Sequence, residues 1–459
     1  MNLARVNNVY FVGIGGIGMS ALARYFHAKG AWVYGYDRVQ TDLTSSIESL
    51  GVNISYADEI GSIPEDFLKA DPNKSLVVYT PAIPQSNSIK AYLISRGFRV
   101  IKRSEALEEI TSGSKTIAVA GTHGKTTTSA LVAHVLKTAG VPLNAFLGGI
   151  TTNYNTNCLL DENAEYTVVE ADEYDRSFLR LNPDVSIITS VDADHLDIYN
   201  SSESVSGAFE EFAGKLKKEG ALITANDIAF KSVASKISYG IYSENAQLKA
   251  TNIRVEDGKF NYDVFLKGMK LGAIESAYPG IHNIENALAA VAVALVLSID
   301  WKLIKKALES FKGVKRRFEY QINNEKRVYI DDYAHHPSEI DACVGSVKQL
   351  YPNSRITGVF QPHLYSRTRD FADDFARSLE SLNELLLLEI YPAREEPIEG
   401  VSSSMLLDKI QMVNKKLCQR EDVIDEVLRL DPEVLLTLGA GDIDKLVAPI
   451  KNALNNKDE

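Results

Sequence analysis

Apolar residues along this chain gather in short unbroken runs, separated by longer stretches in which they recur at helical spacing. Runs at residues 9–12, 32–36, 77–79, 116–120, 166–169, 185–189 and 221–224 predict buried strands. The periodic stretches between them, such as 19–28 and 125–139, predict helices, and alternation across 248–271 around Asp257 and Gly258 predicts a hairpin. From residue 314 the pattern resumes, with strands expected at 328–330, 356–360, 385–390 and 434–438. Strands that are apolar throughout and alternate with helices predict α/β layers around parallel sheets.

The polar positions sharpen this picture, because ligands of open parallel sheets collect beyond the carboxyl ends of the strands. At residues 120–128 the sequence AGTHGKTTT joins a predicted strand to a predicted helix. Gly121 and Gly124 let the backbone curl so that successive N–H groups point inward, and the helix N-terminus adds partial positive charge. Lys125 can then reach terminal phosphates, and the Thr126 hydroxyl can join the shell of a Mg²⁺ ion. A strict Walker spacing would put the first glycine at Val119, whereas here it is Gly121. The expectation is ATP binding by Gly121, Thr122, His123, Gly124, Lys125, Thr126 and Thr127.

Earlier in the chain, Gly13, Gly15 and Gly18 form G-x-G-x-x-G between a predicted strand and helix, with Asp37 closing the next strand. The physics of that turn specifies a diphosphate approached closely by backbone. NAD, FAD or a nucleotide-sugar diphosphate each satisfies it.

After the phosphate loop, the strand at 166–169 runs into EADEYDRSF, and a carboxylate there stands where Mg²⁺ needs a ligand. Glu170 is preferred over Asp172 and Glu173. The strand at 185–189 ends in SVDADHLD, which puts Asp192, Asp194 and His195 in the same crevice, and His195 is read as a metal ligand beside Glu170. Asn286, in GIHNIEN ahead of an apolar helix, can cap it or read the Watson–Crick edge of adenine. In the last third, the strand ends carry DDYAHHP, QPHLYSRT, YPAREEP and GAGD, a concentration of ionisable groups that argues for a working face.

Composition sets the bounds. At 459 residues the chain is too long for one core, and roughly 100–200 residues per domain gives about three. Boundaries are expected near 106 and 313, giving domains 1–106, 107–313 and 314–459. A net charge of -12 argues against nucleic acid or an anionic membrane as partner. The longest apolar run, 287–297, is too short to span a bilayer, and no signal-peptide pattern opens the chain. Cys158, Cys343 and Cys418 are isolated, which suggests a reducing compartment; the expected location is the cytoplasm.

Taken in order, VGIGGIGMSALA, AGTHGKTTT, EADEYDRSF, DADHLD, GIHNIENALAA, KRRFE, DDYAHHPSEI, FQPH and LGAGDI resemble the Mur ligase family across almost the whole chain. The resemblance implies three domains: an N-terminal Rossmann-like domain for a UDP-sugar, a central P-loop ATPase domain and a C-terminal Rossmann-like domain that closes over the site. It implies a cell-wall enzyme that uses ATP and Mg²⁺ to join L-alanine to the lactyl carboxylate of UDP-N-acetylmuramate, through an acyl phosphate and a tetrahedral intermediate. By the same resemblance, Glu170 and His195 hold Mg²⁺, Thr126 holds the nucleotide's metal and Asn286 meets adenine. Gly15, Gly16, Gly18 and Asp37 face the UDP-sugar, while Arg317, Asp332, Tyr333, His335, His363 and Arg367 serve the nucleotide, acyl phosphate and L-alanine. Lys125, His195, His335 and Arg367 are the expected catalytic groups, in a monomer or weak homodimer.

The chain also departs from its relatives. Ser190 stands where many carry asparagine, Tyr56 where histidine is common and Leu364 where some have arginine; residues 208–212 hold Glu210 and Glu211 in place of a carbamylated lysine. Two other readings compete with this one. A ligase that recycles a tripeptide onto the same UDP-sugar would share most motifs, and a nucleotide sensor built on the first glycine turn would leave Lys125, Glu170 and His195 without a purpose.

Overall fold

The structure, a computed structural model, describes residues 3–192, 202–230, 233, 236–393 and 395–458. It divides into two compact units. The first comprises Met1–Asn252, Asp263–Ile274 and Glu285–Phe311, and the second comprises Ile253–Tyr262, Glu275–Ile284 and Lys312–Glu459.

The first unit opens with a five-stranded sheet of β1 (Asn8–Val12), β2 (Trp32–Tyr36), β3 (Asn53–Ser55), β4 (Ser75–Tyr79) and β5 (Arg99–Lys102). Its order is β3-β2-β1-β4-β5 and every pairing is parallel, so the strand order reverses beside β1. That reversal opens a crevice at the carboxyl end of β1, where the glycine turn lies. β1 is buried on both faces, with Val9 and Phe11 packing toward Leu22 and Phe26, and Tyr10 and Val12 toward Phe67.

The second sheet is formed by β6 (Lys115–Ala120), β7 (Leu143–Thr151), β8 (Thr156–Leu159), β9 (Tyr166–Glu170), β10 (Val185–Ile188), β11 (Ala221–Ala225), β12 (Ile237–Ile241), β13 (Leu248–Glu256), β14 (Lys259–Leu266) and β15 (Met269–Ser276). Its order is β15-β14-β13-β12-β11-β10-β6-β9-β7-β8. β6 runs parallel to β10 and β9 on its two sides, so the phosphate loop leaves the middle of the sheet with carboxylate-bearing strand ends flanking it. The predicted hairpin is present: Asp257 and Gly258, both at positive φ, turn β13 into β14.

Within this unit the two sheets are tied at the helix Ile17–Ala28. Tyr25 packs on Phe146 with ring centroids 5.6 Å apart. Asn157, buried near the start of β8, donates through Nδ2 to the Ile17 carbonyl at 2.6 Å and to Ser20 Oγ at 2.9 Å.

The second unit carries β16 (Glu319–Asn323), β17 (Val328–Asp332), β18 (Ile356–Phe360), β19 (Glu384–Leu387), β20 (Lys415–Leu417) and β21 (Val434–Leu438), in the order β16-β17-β21-β18-β19-β20. All pairings are parallel except the edge strand β16. β17, β18 and β21 are buried along their whole length, which is why the sequence shows them as continuous apolar runs.

Candidate active site

The phosphate loop is shaped by two glycines. Gly124 caps the helix Lys125–Thr138 in the left-handed region, φ 79°, and Gly121 sits at φ 136° with a Cβ that would collide with Thr189. The loop is fastened to the chain leaving β10. Thr122 N donates to the Ser190 carbonyl at 3.2 Å, His123 N to Ser190 Oγ at 2.9 Å, and Asp192 N to Thr122 Oγ1 at 3.0 Å. Ser190, the departure from the family pattern, therefore holds two of the loop's own amides, one through its carbonyl and one through its side chain.

Because Val119 pairs with Glu170, the end of β9 reaches the start of the loop. Thr126 Oγ1 donates to Glu170, 2.9 Å to Oε2 and 3.2 Å to Oε1, and Gly148 N donates to the same Oε2 at 3.0 Å. A side chain at Gly148 would collide with that carboxylate. Behind this corner, Lys125 Nζ donates to the Gly121 carbonyl at 2.6 Å, the Thr122 carbonyl at 3.1 Å and Glu173 Oε1 at 2.8 Å. Burial pushes the Lys125 ammonium toward neutrality, but the carboxylates of Glu173, Glu170 and Asp172 outweigh it and hold its pKa above the ordinary lysine value.

Asn286 lies against this loop. Its Oδ1 accepts from Thr128 Oγ1 at 3.0 Å, and a side chain at Gly124 would run into it. Asn286 thus belongs to the loop's surroundings, although 158 residues separate it from Thr128.

At the first glycine turn, Gly15 N donates to Asp37 Oδ2 at 2.7 Å. Gly13 adopts φ 89°, and Gly16 caps the helix Ile17–Ala28. The open side of Gly18 is filled by the Arg103 side chain, and Arg103 Nη2 reaches Asp172 Oδ2 at 3.4 Å. A cavity of about 120 Å³ lies between the helix that follows this turn and the Glu170 carboxylate, lined by Gly18, Arg103, Phe146, Gly148, Glu170 and Asp172.

In the second unit, Arg316 and Arg317 lie over the Tyr333 ring, their guanidinium carbons 5.2 and 4.9 Å from its centroid. Arg316 Nε also pairs with buried Asp331 at 3.1 Å, and Arg317 with Glu339 at 3.7 Å. His335 Nδ1 lies 2.9 Å from the Tyr333 carbonyl and 3.1 Å from Glu339 Oε2. The His335 and His363 rings are 5.8 Å apart, His363 stacks on Tyr391, and Arg367 Nη1 approaches His363 Nδ1 at 3.5 Å. Asp332 faces inward instead, accepting from Phe318 N at 2.7 Å and Ala334 N at 2.8 Å; burial raises its carboxyl to about 6.

The residues predicted from sequence thus fall into local groups: Gly15 with Asp37; Lys125, Thr126 and Glu170 with the loop and Asn286; Tyr333, His335, His363, Arg367 and Arg317. Asp194 and His195 lie outside the described residues, and no group of three metal-capable side chains occurs among the described ones. Lys215 follows directly on the helix Ser202–Gly214, and Arg176 Nη2 donates to Glu211 on that helix at 2.8 Å. Sequence reasoning missed Arg103, Gly148, Arg316 and Glu339, and it weighed Glu173 only as a metal ligand. Gly148 had a signal in the paired glycines of LGGIT; the others meet their partners only in the folded chain.

A phosphate loop with an adjoining strand-end carboxylate, carried on neighbouring parallel strands of one α/β sheet, defines a nucleotide-dependent enzyme of the open-sheet class. Residues 8–115 match the catalytic domain of the Mur ligase family, 119–294 the Mur ligase middle domain and 316–441 the Mur ligase glutamate ligase domain. The chain is 47% identical over 455 residues to the UDP-N-acetylmuramate--L-alanine ligase of Flavobacterium johnsoniae, covering 99% of both chains. The solved UDP-N-acetylmuramate-alanine ligase of Thermotoga maritima superposes with TM-score 0.84 at 27% identity, covering 98% of this chain and 99% of that one. A murein peptide ligase from Psychrobacter arcticus shares the fold at TM-score 0.69 and 23% identity, covering 98% and 99%. This chain belongs to the Mur ligase family.

Proposed function

We propose that the chain is an ATP-dependent ligase that joins L-alanine to the lactyl carboxylate of UDP-N-acetylmuramate, in peptidoglycan precursor synthesis. The observation that carries the reading is the corner of Lys125, Thr126 and Glu170, in a chain alignable end to end with ligases of that name. A carboxylate is a poor electrophile, so one of its oxygens must first take the γ-phosphoryl group of ATP, releasing ADP. The amine of L-alanine then attacks the acyl carbon and loses a proton. The tetrahedral intermediate collapses to the amide and inorganic phosphate.

Each group has a place in that sequence. The loop amides and Lys125 bind phosphate oxygens and offset the repulsion between two anions. Thr126 and Glu170 offer hydroxyl and carboxylate oxygens, the hard donors that suit Mg²⁺, which supplies charge neutralisation when bound. His195 belongs with them by resemblance. Asn286 orients adenine; Gly15, Gly16, Gly18 and Asp37 receive the UDP-sugar; Arg317, Asp332, Tyr333, His335, His363 and Arg367 serve the nucleotide, the acyl phosphate and L-alanine.

The domains this reading uses are 1–106, 107–313 and 314–459. Among the described residues no helix is long and apolar enough to cross a membrane, in keeping with a cytoplasmic enzyme that acts on small molecules as a monomer or weak homodimer. The test is phosphate release by the purified protein with MgATP, leaving out each substrate in turn. Release that needs both UDP-N-acetylmuramate and L-alanine, with UDP-N-acetylmuramoyl-L-alanine formed in equal amount, is expected. Release with a tripeptide and none with alanine reassigns the chain to recycling, and silence in every combination overturns the ligase.

A further inference from the structure

The three N–H bonds of the Lys125 ammonium are all engaged, two by carbonyls of the phosphate loop itself and the third by Glu173 Oε1 at 2.8 Å. Loop carbonyls move with the loop, so a phosphate oxygen that is to be gripped by Lys125 must replace the one partner that is an anion and lies outside it. Glu173 is well built for that part. Its side chain is 3% exposed, and it stands three residues beyond Glu170, where β9 has ended and a short helical turn, Tyr174–Arg180, begins.

The turn that carries it is tied back to the strand end by its own backbone. Arg176 N donates to the Glu173 carbonyl at 3.0 Å, Phe178 N to the Asp172 carbonyl at 3.1 Å and Tyr174 N to Asp172 Oδ1 at 3.0 Å. Phe178 is buried and stacks on Phe212 with centroids 4.9 Å apart. A carboxylate placed in this way presents to Nζ the same charge-assisted acceptor that a phosphate oxygen would.

We infer that Glu173 is a positioning residue that acts as an internal stand-in for a nucleotide phosphate oxygen: it holds Lys125 inside the loop and is displaced from Nζ when nucleotide binds. This rests on the reading of residues 121–127 as the ATP phosphate site. Holding the lysine in this way keeps a buried cation paired and the loop in one conformation while no phosphate is there. The cost is borne by nucleotide affinity, since each binding event must break an ion pair before it makes one.

The experiment is calorimetric titration of the full chain with MgADP, for the wild type, Glu173→Gln and Glu173→Asp, with thermal unfolding of each. Glutamine removes the charge, and aspartate withdraws it from Nζ by one methylene. Displacement predicts that both variants bind MgADP about tenfold more tightly than wild type, the fold-change expected from losing a charged competitor, with KM for ATP falling in parallel. A merely structural Glu173 would weaken binding on replacement. Equal or weaker MgADP binding by a variant that unfolds at the wild-type temperature overturns the proposal, and should Glu173→Gln fail to fold, Glu173→Asp is read by the same criterion. If wild type itself binds no MgADP, the phosphate-site reading falls and this inference with it, whereas wild-type binding without a gain in the variants overturns the stand-in alone.

Discussion

The Thr126 hydroxyl lies 2.9 Å from Glu170 Oε2, although 44 residues separate the two. One residue opens the helix of the phosphate loop and the other ends the neighbouring strand, so the parallel pairing of β6 with β9 fixes their distance. Replacing Glu170 by Gln keeps the shape and removes the charge with which, on the proposed reading, it would hold a divalent cation. Turnover should fall by at least about 10²-fold, with an unchanged unfolding midpoint and a raised Mg²⁺ requirement. Lys125→Ala should abolish turnover in a folded protein, and an active, ATP-dependent Lys125→Ala enzyme would refute the phosphate-loop assignment.

Gly148 tests the same corner from the other side. Its backbone is not in the left-handed region, so alanine costs nothing there conformationally; the added methyl collides with Glu170 instead. Gly148→Ala should therefore push the Glu170 carboxylate aside and reduce kcat nearly as far as loss of Glu170 does, with little change in the unfolding midpoint. Wild-type kinetics in Gly148→Ala would show that Glu170 need not hold this position.

His134 gives a prediction in pH. It is buried on the phosphate-loop helix, 2.7 Å from Tyr154 Oη and 3.0 Å from Ser310 Oγ, and burial lowers its pKa from 6.5 to about 4. Between these values the unfolded chain binds the proton and the folded one does not. Stability from this group is complete above pH 6.5 and drains away as the pH falls toward 4, by about 3 kcal/mol in all. Chemical denaturation from pH 7 down to 4 should show that slope, and His134→Gln, which keeps a hydrogen-bonding side chain without the charge, should flatten it. An imidazole titrating near 6.5 by NMR would count against this burial.

Asn157 is the last test. Asn157→Ala strips a donor from the Ile17 carbonyl and from Ser20, both on the helix that follows the glycine turn. The expected cost is about 1–3 kcal/mol, together with a higher KM for UDP-N-acetylmuramate and little change in KM for ATP. A variant whose two KM values rise equally would argue that the contact serves the fold alone.

Much of this was legible in the sequence, and for physical reasons. Strands buried on both faces, such as β1, β6, β18 and β21, leave apolar runs, and the turns beyond β1 and β6 carry glycine at positive φ, at Gly13 and Gly124. Short or half-exposed strands such as β3 and β20 left no such trace. The partners of Lys125 were illegible for another reason. EADE offers three carboxylates within four residues, and only the end of β9 followed by the turn at Tyr174 decides that Glu170 goes to Thr126 and Glu173 to Lys125. Asp332 shows the converse, a strand-end acid that looks free in sequence and is engaged by the amides of Phe318 and Ala334. Arg316 and Phe318 hold left-handed backbone without being glycine, which no local pattern announces.

The Asn157 contact has a consequence for what can be bound. It joins the glycine turn's helix to the sheet that carries the phosphate loop, with Tyr25 packed on Phe146 beside it, so the helix and Glu170 sit at a set spacing across the cavity of Gly18 and Arg103. That spacing works as a gauge. On the proposed reading, a molecule anchored by its diphosphate at the first turn would present to the Glu170 corner only the atom lying the right distance along it, and a longer or shorter bridge would deliver the wrong one.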